Sequence, residues 1–470
     1  FGRPMGCPRP GLMVWRQSCS SRCSLAIRQW VVDHMNYFTL HFTYFLLLGL
    51  TGAVLMYWIE DQELPMIDCL FMAYSACSLT GLATVDVGML STASLVVLII
   101  MIALGSQVLM SVVPIVIRRH YYRNTVRKSG GPHTPLTLPP HSPMESPLSS
   151  QQQKQLLGGA VDLITATDLG WNRRPVKPST VERYQHRSHI EYQALGVLRW
   201  LSLGIYFSVQ LVSFLSLGLY LHFGKAALME ERQTNAWWFS LFLSVSAFNN
   251  AGLCLFADSL MPFSEDYLVL LWVSALILIG NTAYPLLLRA CVFTLHRFFP
   301  ADPAYKFLLN NPRRCSTHLF LGLHTRIIAM VVVVLTVVEC ITMLVLEELY
   351  QGALPPELSP ANWGLLAWFQ AVSTRTAGFN AVDLQRICPA MALLYCILMY
   401  VSSYPIIKSV RKASAAHTSI GTDDEVDCVT GGHQSVLAEV KSACATDLWF
   451  LAAAFFLLLV VEGKEGMSDQ

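Results

Sequence analysis

"FQAVSTRTAGFNAVDL", residues 369–384, carries the pattern that decides the fold. It begins as an apolar helix, changes to small and hydroxylated residues at Ser373, Thr376 and Gly378, and reaches an acid at Asp383. The apolar part is shorter than the roughly 20 residues that a helix needs to cross a bilayer. The stretch therefore predicts a half-length helix that ends in a loop.

Two other stretches of the chain have the same pattern. They are "FMAYSACSLTGLATVD" at 71–86 and "FLSVSAFNNAGLCLFAD" at 242–258. In every copy a serine follows a phenylalanine by four residues, a glycine follows five or six residues later, and an aspartate comes after it. The shared positions are Phe71, Ser75, Gly81 and Asp86; Phe242, Ser246, Gly252 and Asp258; and Phe369, Ser373, Gly378 and Asp383. An internal repeat of this kind predicts a fold built from repeated units.

The composition is that of a membrane protein. Of the 470 residues, 54% are hydrophobic and 13% are charged, whereas soluble domains carry roughly 25% charged residues. Apolar runs of spanning length lie at 38–58, 94–117, 197–222, 267–293, 327–346 and 388–407. Each copy of the pattern lies between two of these runs, so the sequence predicts an all-α polytopic membrane protein of repeated span–pore helix–span units.

The charges predict the orientation of the units. Basic residues follow the second, fourth and sixth runs: Arg118, Arg119, Arg123, Arg127, Lys128, Arg289, Arg297, Arg313, Arg314, Lys408, Arg411 and Lys412. Acids fill the alternate connections: Glu60, Asp61, Glu63, Glu230, Glu231, Glu347 and Glu348. By the positive-inside rule the basic side and the N-terminus are cytoplasmic. The formal net charge of +1 gives no indication of a nucleic-acid partner.

The half-length helices predict a cation pathway at the centre of the units. A short helix that enters from outside directs its negative C-terminal pole at the membrane centre. A glycine after it lets carbonyl oxygens turn inward, where they replace the hydration shell of an ion. The predicted ion-filter residues are Thr80, Gly81, Asn250, Gly252, Thr376 and Gly378. Close helix packing through small residues is the alternative.

Three further features are candidate sites: a set of acids, an arginine in the third copy of the pattern and an asparagine in an interrupted helix. The acids Asp86, Asp258 and Asp383 follow the filter residues and are predicted to attract cations at the outer mouth, or else to tie the loop. Arg375 is expected to pair with Glu347 or Glu348, or to hold the wall behind the pore. Asn281, in the interrupted helix "GNTAYP" at 280–285, is predicted to line the pathway or to form a packing kink.

The chain divides into eight segments on this interpretation. They are a cytoplasmic segment 1–35, a first unit 36–117, a disordered cytoplasmic linker 118–190, a second unit 191–295, a loop 296–325, a third unit 326–407, a loop 408–445, and the first span of an incomplete fourth unit at 446–470. The linker is rich in Pro, Ser and Gln and has no periodicity.

These motifs together resemble the Trk/HKT superfamily of potassium transporters, and specifically the fungal-type Trk proteins. The residues that carry the resemblance are "TGLATVD" (80–86), "EYQALGVL" (191–198), "SAFNNAGLCLFADSLMPF" (246–263), "GNTAYPLLLR" (280–289), "NNPRRC" (310–315), "STRTAGFNAVDL" (373–384) and "VEG" (461–463). The resemblance implies four units about one pathway, one filter glycine in each unit, and homo-oligomers in the plasma membrane. Glycine at position 81 implies potassium over sodium.

The expected function is potassium uptake without a cofactor and without a metal other than the permeant K⁺, with Na⁺ as a second candidate ion. The expected partners are membrane lipid and further copies of the chain. Because a fourth pore motif is absent, a truncated, non-conducting chain that associates with full-length transporter is the alternative. An enzyme is not expected, since neither HExxH nor GxSxG occurs.

Overall fold

The computed structural model describes residues 37–61, 63–128, 178–316, 318–320, 322–350, 359–387 and 391–399. All of them fall within one of the chain's two compact units, which covers 1–161 and 170–415. Every regular element in these ranges is helical, which confirms the predicted all-α class. The predicted segments 1–35 and 446–470 lie outside the described residues.

Fourteen α-helices follow one another along the described ranges. In chain order they are α1 (Tyr37–Ile59), α2 (Met66–Ser78), α3 (Thr92–Gly105), α4 (Gln107–Lys128), α5 (Pro178–Gly224), α6 (Ala226–Glu231), α7 (Ala236–Asn249), α8 (Tyr267–Gly280), α9 (Tyr284–Phe298), α10 (Pro303–Asn310), α11 (Pro312–Cys315), α12 (Gly322–Tyr350), α13 (Pro360–Ser373) and α14 (391–399). Three short 3₁₀ helices lie at Val87–Met89, Met261–Phe263 and Leu384–Arg386.

The long helices have the length and composition of membrane spans. Within the described residues, α1, α5 and α12 each contain a stretch that is long and apolar enough to cross a bilayer. The pairs α3–α4 and α8–α9 also qualify if each is counted as one bent span. These five match five of the six predicted runs, and only 391–399 of the sixth run is described.

The three half-length helices α2, α7 and α13, which we call the pore helices, follow the first span of each unit. They have 13, 14 and 14 residues, and at about 1.5 Å per residue they reach only part of the way through a core roughly 30 Å thick. Side chains fix two of their starts: Asn235 accepts hydrogen bonds from the amides of α7, and Ser359 accepts one from Asn362.

The pore helices lie inside the molecule and the spans lie around them. Eleven of the 14 residues of α7 are buried, whereas the spanning windows of α1, α5 and α12 are only 22%, 33% and 17% buried. Six of the 13 residues of α2 and eight of the 14 residues of α13 are also buried, so all three pore helices are more enclosed than the spans. This arrangement is typical of membrane proteins, because lipid solvates apolar side chains while polar ones need protein or water.

The second spans of the first two units are bent, and sequence analysis predicted only one of the bends. The pair α8–α9 bends by 76° at residues 281–283, where the sequence "GNTAYP" predicted an interruption. Pro285 is the second residue of α9, in the first turn, where a proline is tolerated. The pair α3–α4 bends by 53° at Ser106, inside an apolar run that looked continuous.

The predicted linker 118–190 differs from the structure at both of its ends. Helix α4 continues to Lys128 and α5 begins at Pro178, and 129–177 lie outside the described residues. The extensions are held together by polar contacts: Arg118 forms a 3.2 Å ion pair with Glu191, and the Arg119 guanidinium lies 4.6 Å from the centre of the Tyr192 ring. The predicted loop 296–325 likewise contains α10 and α11.

Candidate functional site: three filter loops

The loop after each pore helix, which we call a filter loop, turns at its predicted filter glycine. Gly81, Gly252 and Gly378 have φ values of 81°, 75° and 76°, and they are the glycines with positive φ in the described ranges. Side chains with a Cβ atom rarely adopt this conformation, because the Cβ crowds the backbone. The repeated glycine is therefore required by the backbone of the loop, and not only by the packing of neighbouring helices.

The three loops meet one another around a common point. A Cβ atom built on Gly81 would lie 2.6 Å from the carbonyl oxygen of Ala251. A Cβ on Gly252 would overlap the carbonyl oxygen of Ala377, and one on Gly378 would lie 3.9 Å from the carbonyl oxygen of Thr80. In each case the oxygen belongs to the residue directly before the filter glycine of another unit. The loops thus form a cycle in which main-chain carbonyls and glycines face each other.

The serine of the repeated pattern fixes the loop in two of the units. Ser246 Oγ donates a 2.6 Å hydrogen bond to the carbonyl of Leu253, and Ser373 Oγ donates a 2.7 Å bond to that of Phe379. Each acceptor directly follows the filter glycine. Ser75 Oγ is buried at the equivalent place in the first unit, where it has no hydrogen-bond partner among the described residues. The spacing from serine to glycine therefore reflects a loop held by its own pore helix.

The loops of the second and third units are also bonded to each other. The hydroxyl of Thr376 donates to Asn250 Oδ1 at 2.8 Å. The amide of Leu260 donates to the carbonyl of Asn380 at 2.9 Å, and the amide of Asn380 donates to Ser259 Oγ at 3.2 Å. These bonds connect the loops of the second and third units directly.

The other three predicted filter residues lie in the loops with different surroundings. Thr80 directly precedes Gly81, and its exposed side chain lies 2.6 Å from the Ser78 hydroxyl. Asn250 is the left-handed residue that ends α7, and its amide nitrogen donates to the carbonyls of Phe248 and Ile277. Together with the bond from Thr376, these contacts turn the Asn250 side chain toward its neighbours, so its contribution to an ion pathway would come through the loop backbone.

Each acid predicted for the outer mouth has a local partner. Asp86 accepts a 3.0 Å hydrogen bond from the amide of Gly88 and begins the 3₁₀ helix that follows. Asp258 forms a 2.7 Å ion pair with Arg232, and Asp383 forms one of 3.2 Å with Arg386. The arginines offset the charge of two of the three acids. These contacts favour the loop-tying role, while the partial exposure of the pairs leaves their charges near the outer surface.

A salt series separates the two roles of Asp258. If the acid attracts cations, Asp258→Asn should lower uptake and Arg232→Gln should raise it, both by up to about threefold at 0.01 M ionic strength, where the Debye length is about 30 Å. The two variants should converge on the parent at 0.1 M, where it is about 10 Å. Rubidium uptake against ionic strength measures this. Loss of uptake in both variants at every salt concentration would instead assign Asp258 to holding the loop.

The end of α1 and the start of α3 are joined through Glu60. Its carboxylate accepts hydrogen bonds from the amide and hydroxyl of Ser91, at 3.0 and 2.7 Å. Burial alone would raise the pKa of Glu60, but hydrogen bonds from Ser94 and Ser91 outweigh it and hold that pKa below its ordinary value. The charged carboxylate therefore fixes the start of α3 beside the end of α1.

Arg375 is paired with a different acid from the ones expected. Its side chain is 4% exposed, and its Nε lies 3.8 Å from Glu339, in the middle of α12. The expected partners Glu347 and Glu348 lie further along α12, and their side chains are outside the described part of the chain. The other expectation, a role in the wall behind the pore, agrees with this placement.

Asn281 lies at the bend between α8 and α9, next to the end of the second pore helix. A Cβ on the preceding Gly280 would overlap the carbonyl oxygen of Phe248 and would lie 3.2 Å from Asn250 Nδ2. The side-chain oxygen of Asn281 is buried and accepts no hydrogen bond from the described residues. A buried amide oxygen of this kind needs water or an ion.

Comparison with known proteins finds similar sequences along almost the whole chain. A family model described as TrkH, cation transport protein, matches residues 26–468. Among curated proteins, Potassium transport protein 1 of Schizosaccharomyces pombe is 30% identical over 251 residues, which is 51% of this chain and 29% of that protein. The Low-affinity potassium transport protein of Saccharomyces cerevisiae is 27% identical over 326 residues, 61% of this chain and 36% of that protein.

The chain spans much less than half the length of these relatives. Potassium transporter TRK1 of Candida albicans is 29% identical over 307 residues, which cover 61% of this chain and 28% of that protein. A crystal structure of the potassium transporter TrkH from Vibrio parahaemolyticus covers 76% of this chain and 54% of its own, at 16% identity and a TM-score of 0.38.

Proposed function

Because the chain belongs to the TrkH family of cation transport proteins, we propose that it carries potassium ions across a membrane through the point where its three filter loops meet. The observation that carries the proposal is the cycle of contacts among the three loops. In it Gly81, Gly252 and Gly378 each face the carbonyl oxygen that precedes the filter glycine of another unit. Membership in a family of cation transport proteins also agrees with the expectation that the chain is not an enzyme.

The loops supply the chemistry that a permeant cation needs. Main-chain carbonyl oxygens can replace the water molecules around a dehydrated ion. The C-terminal ends of the three pore helices point toward the loops and add a negative potential. The glycines leave the space between the carbonyls free of side chains. Selectivity for potassium over sodium is part of the proposal, because glycine occupies the filter position in all three units.

The cellular setting follows from the family's transport role. The chain is a membrane protein, and we assign it to the plasma membrane, with a cytoplasmic N-terminus on the basis of the basic residues in the second half of α4 and in α9. Association of several copies, surrounded by membrane lipid, is also proposed. Each of these assignments can be tested with epitope tags and with cross-linking in cells.

The decisive experiment is rubidium uptake by the full chain in yeast cells that lack their own potassium uptake. Uptake above the level of empty-vector cells, with potassium competing better than sodium, supports the proposal. The alternative of a non-conducting chain predicts no uptake above the vector. It also predicts that the chain lowers uptake when it is co-expressed with a full-length relative.

The bend in the second unit gives a further test of the pathway. Asn281→Leu should reduce uptake about tenfold at an unchanged surface level, because it removes the buried oxygen that is available to an ion or its water. Asn281→Asp, which keeps acceptor oxygens, should retain more uptake than the leucine variant. Normal uptake in Asn281→Leu would assign the residue to packing alone.

A further inference from the structure

A buried arginine and a buried glutamate lie next to each other at the third filter loop. Arg375 is 4% exposed and Glu339 is 1% exposed, and Nε of the arginine lies 3.8 Å from a carboxylate oxygen. Glu339 belongs to the stretch Ala329–Leu346, which is apolar enough to cross a bilayer. Ionised groups at such a depth are costly and usually serve a function.

The arginine is bonded to both the pore helix and the span behind it. Its Nε donates a 3.0 Å hydrogen bond to the carbonyl of Ala371, in the last turn of α13. One terminal nitrogen donates to the hydroxyl of Thr336 at 2.6 Å. The guanidinium therefore lies at the C-terminal end of the third pore helix, where a cation interacts favourably with the helix dipole.

At that position the positive charge of Arg375 would repel a permeant cation. The negative pole of a pore helix is the property that stabilises a cation in front of it, and a guanidinium at the same pole offsets that potential. A guanidinium does not lose its proton in proteins. Left alone, Arg375 would make the third unit less favourable to cations than the other two, which carry the uncharged Ser78 and Asn249 three residues before their filter glycines.

We infer that Glu339 is the counter-ion that cancels the charge of Arg375 and so determines the affinity of the filter for cations. It acts through Arg375 and does not itself touch the ion. This inference rests on the proposed potassium transport. It assigns to a span residue a role in ion affinity that is distinct from holding the helices together.

Two variants separate charge compensation from helix packing. Glu339→Gln keeps the shape of the side chain and removes its charge, so Arg375 is left uncompensated. The double variant Glu339→Gln with Arg375→Gln removes both charges. Thr336→Val is the matched control, because it removes a hydrogen bond of Arg375 and leaves both charges in place.

The test measures the KM for rubidium uptake and the surface amount of each variant in yeast. We expect Glu339→Gln to raise KM about tenfold, or about 1.4 kcal/mol, because the uncompensated guanidinium would repel the ion through the loop and not in direct contact with it. The double variant should return KM to within about threefold of the parent, and Thr336→Val should leave it within about twofold.

The outcomes distinguish this inference from the proposed function. A parent chain without uptake above the vector removes the proposed function, and the inference with it. A parent that transports, with unchanged KM in Glu339→Gln or an equal rise in Thr336→Val, overturns the inference alone. If Glu339→Gln fails to reach the surface, arrival of the double variant supports charge compensation, and failure of both overturns it.

Discussion

Replacing Gly252 by alanine is expected to abolish rubidium uptake, with a loss of at least about a hundredfold. The backbone there has φ of 75°, and the new Cβ would overlap the carbonyl oxygen of Ala377. That oxygen is part of another filter loop and cannot move aside without distorting the loop. The left-handed conformation alone costs an alanine roughly 1–2 kcal/mol, and the overlap adds to this cost. Uptake relative to surface amount measures the effect.

The other filter glycines provide an internal series of controls. Gly378→Ala has the same backbone conformation, but its Cβ would lie 3.9 Å from the nearest neighbouring atom, the oxygen of Thr80. It should therefore retain more uptake than Gly252→Ala. Gly81→Ser, with 2.6 Å to the oxygen of Ala251, should fall between them and shift selectivity toward sodium. Equal uptake and equal potassium-to-sodium ratios in all three variants and the parent would contradict the filter assignment.

The second large effect is expected at Gly280, at the end of α8, where the second span of the second unit contacts the pore helix α7. A Cβ at Gly280 would overlap the main-chain oxygen of Phe248. Gly280→Ala should therefore separate α8 from the end of α7, at a cost of roughly 1–3 kcal/mol or more. We expect a lower melting temperature of the detergent-solubilised protein and less protein at the cell surface.

Two other helical glycines serve as matched controls for this prediction. Gly204 in α5 and Gly364 in α13 would place a new Cβ in open space, with no atom within 4 Å. Alanine at either position should leave the melting temperature unchanged, or raise it slightly, since alanine favours a helix by up to about 1 kcal/mol over glycine. A melting temperature of Gly280→Ala equal to that of the controls would show that the contact with Phe248 is not required.

The repeated units could be predicted from the sequence because they rest on local chemistry. A glycine after a short apolar helix indicates a backbone conformation that other residues rarely adopt, and its repetition in three copies makes this interpretation stronger. The structure brings Gly81, Gly252 and Gly378 together, as the pattern suggested. The loop-fixing bonds of Ser246 and Ser373 were signalled by the same spacing, although their acceptors could not be named in advance.

The bend at Ser106 had no comparable signal. The run around it is apolar on both sides and holds no proline at the break, so hydropathy alone describes one straight helix. The bend lies where α3 contacts the first pore helix: a Cβ on Gly105 would overlap the carbonyl oxygen of Cys77, near the end of α2. Gly280 makes the equivalent contact with Phe248, so a glycine precedes each break, a feature that hydropathy does not detect.

The partner of Arg375 was missed for a different reason. A single glutamate inside an otherwise apolar window hardly changes its mean hydropathy, so Glu339 was counted as part of a span. Its pairing with Arg375 depends on how α12 packs against α13, and 36 positions separate the two residues along the chain. Sequence periodicity describes single helices and contains no information about which faces of two helices meet.

The bonds between the second and third filter loops have a consequence for biosynthesis. Asn250 and Ser259 find their partners in residues that follow them by 126 and 121 positions. At about 5–20 residues per second, a ribosome needs roughly 6–25 s to reach those partners. During that interval Asn250 Oδ1 and Ser259 Oγ lack the partners that they have in the folded chain. The second loop therefore reaches its final hydrogen bonding only after the third unit has been synthesised.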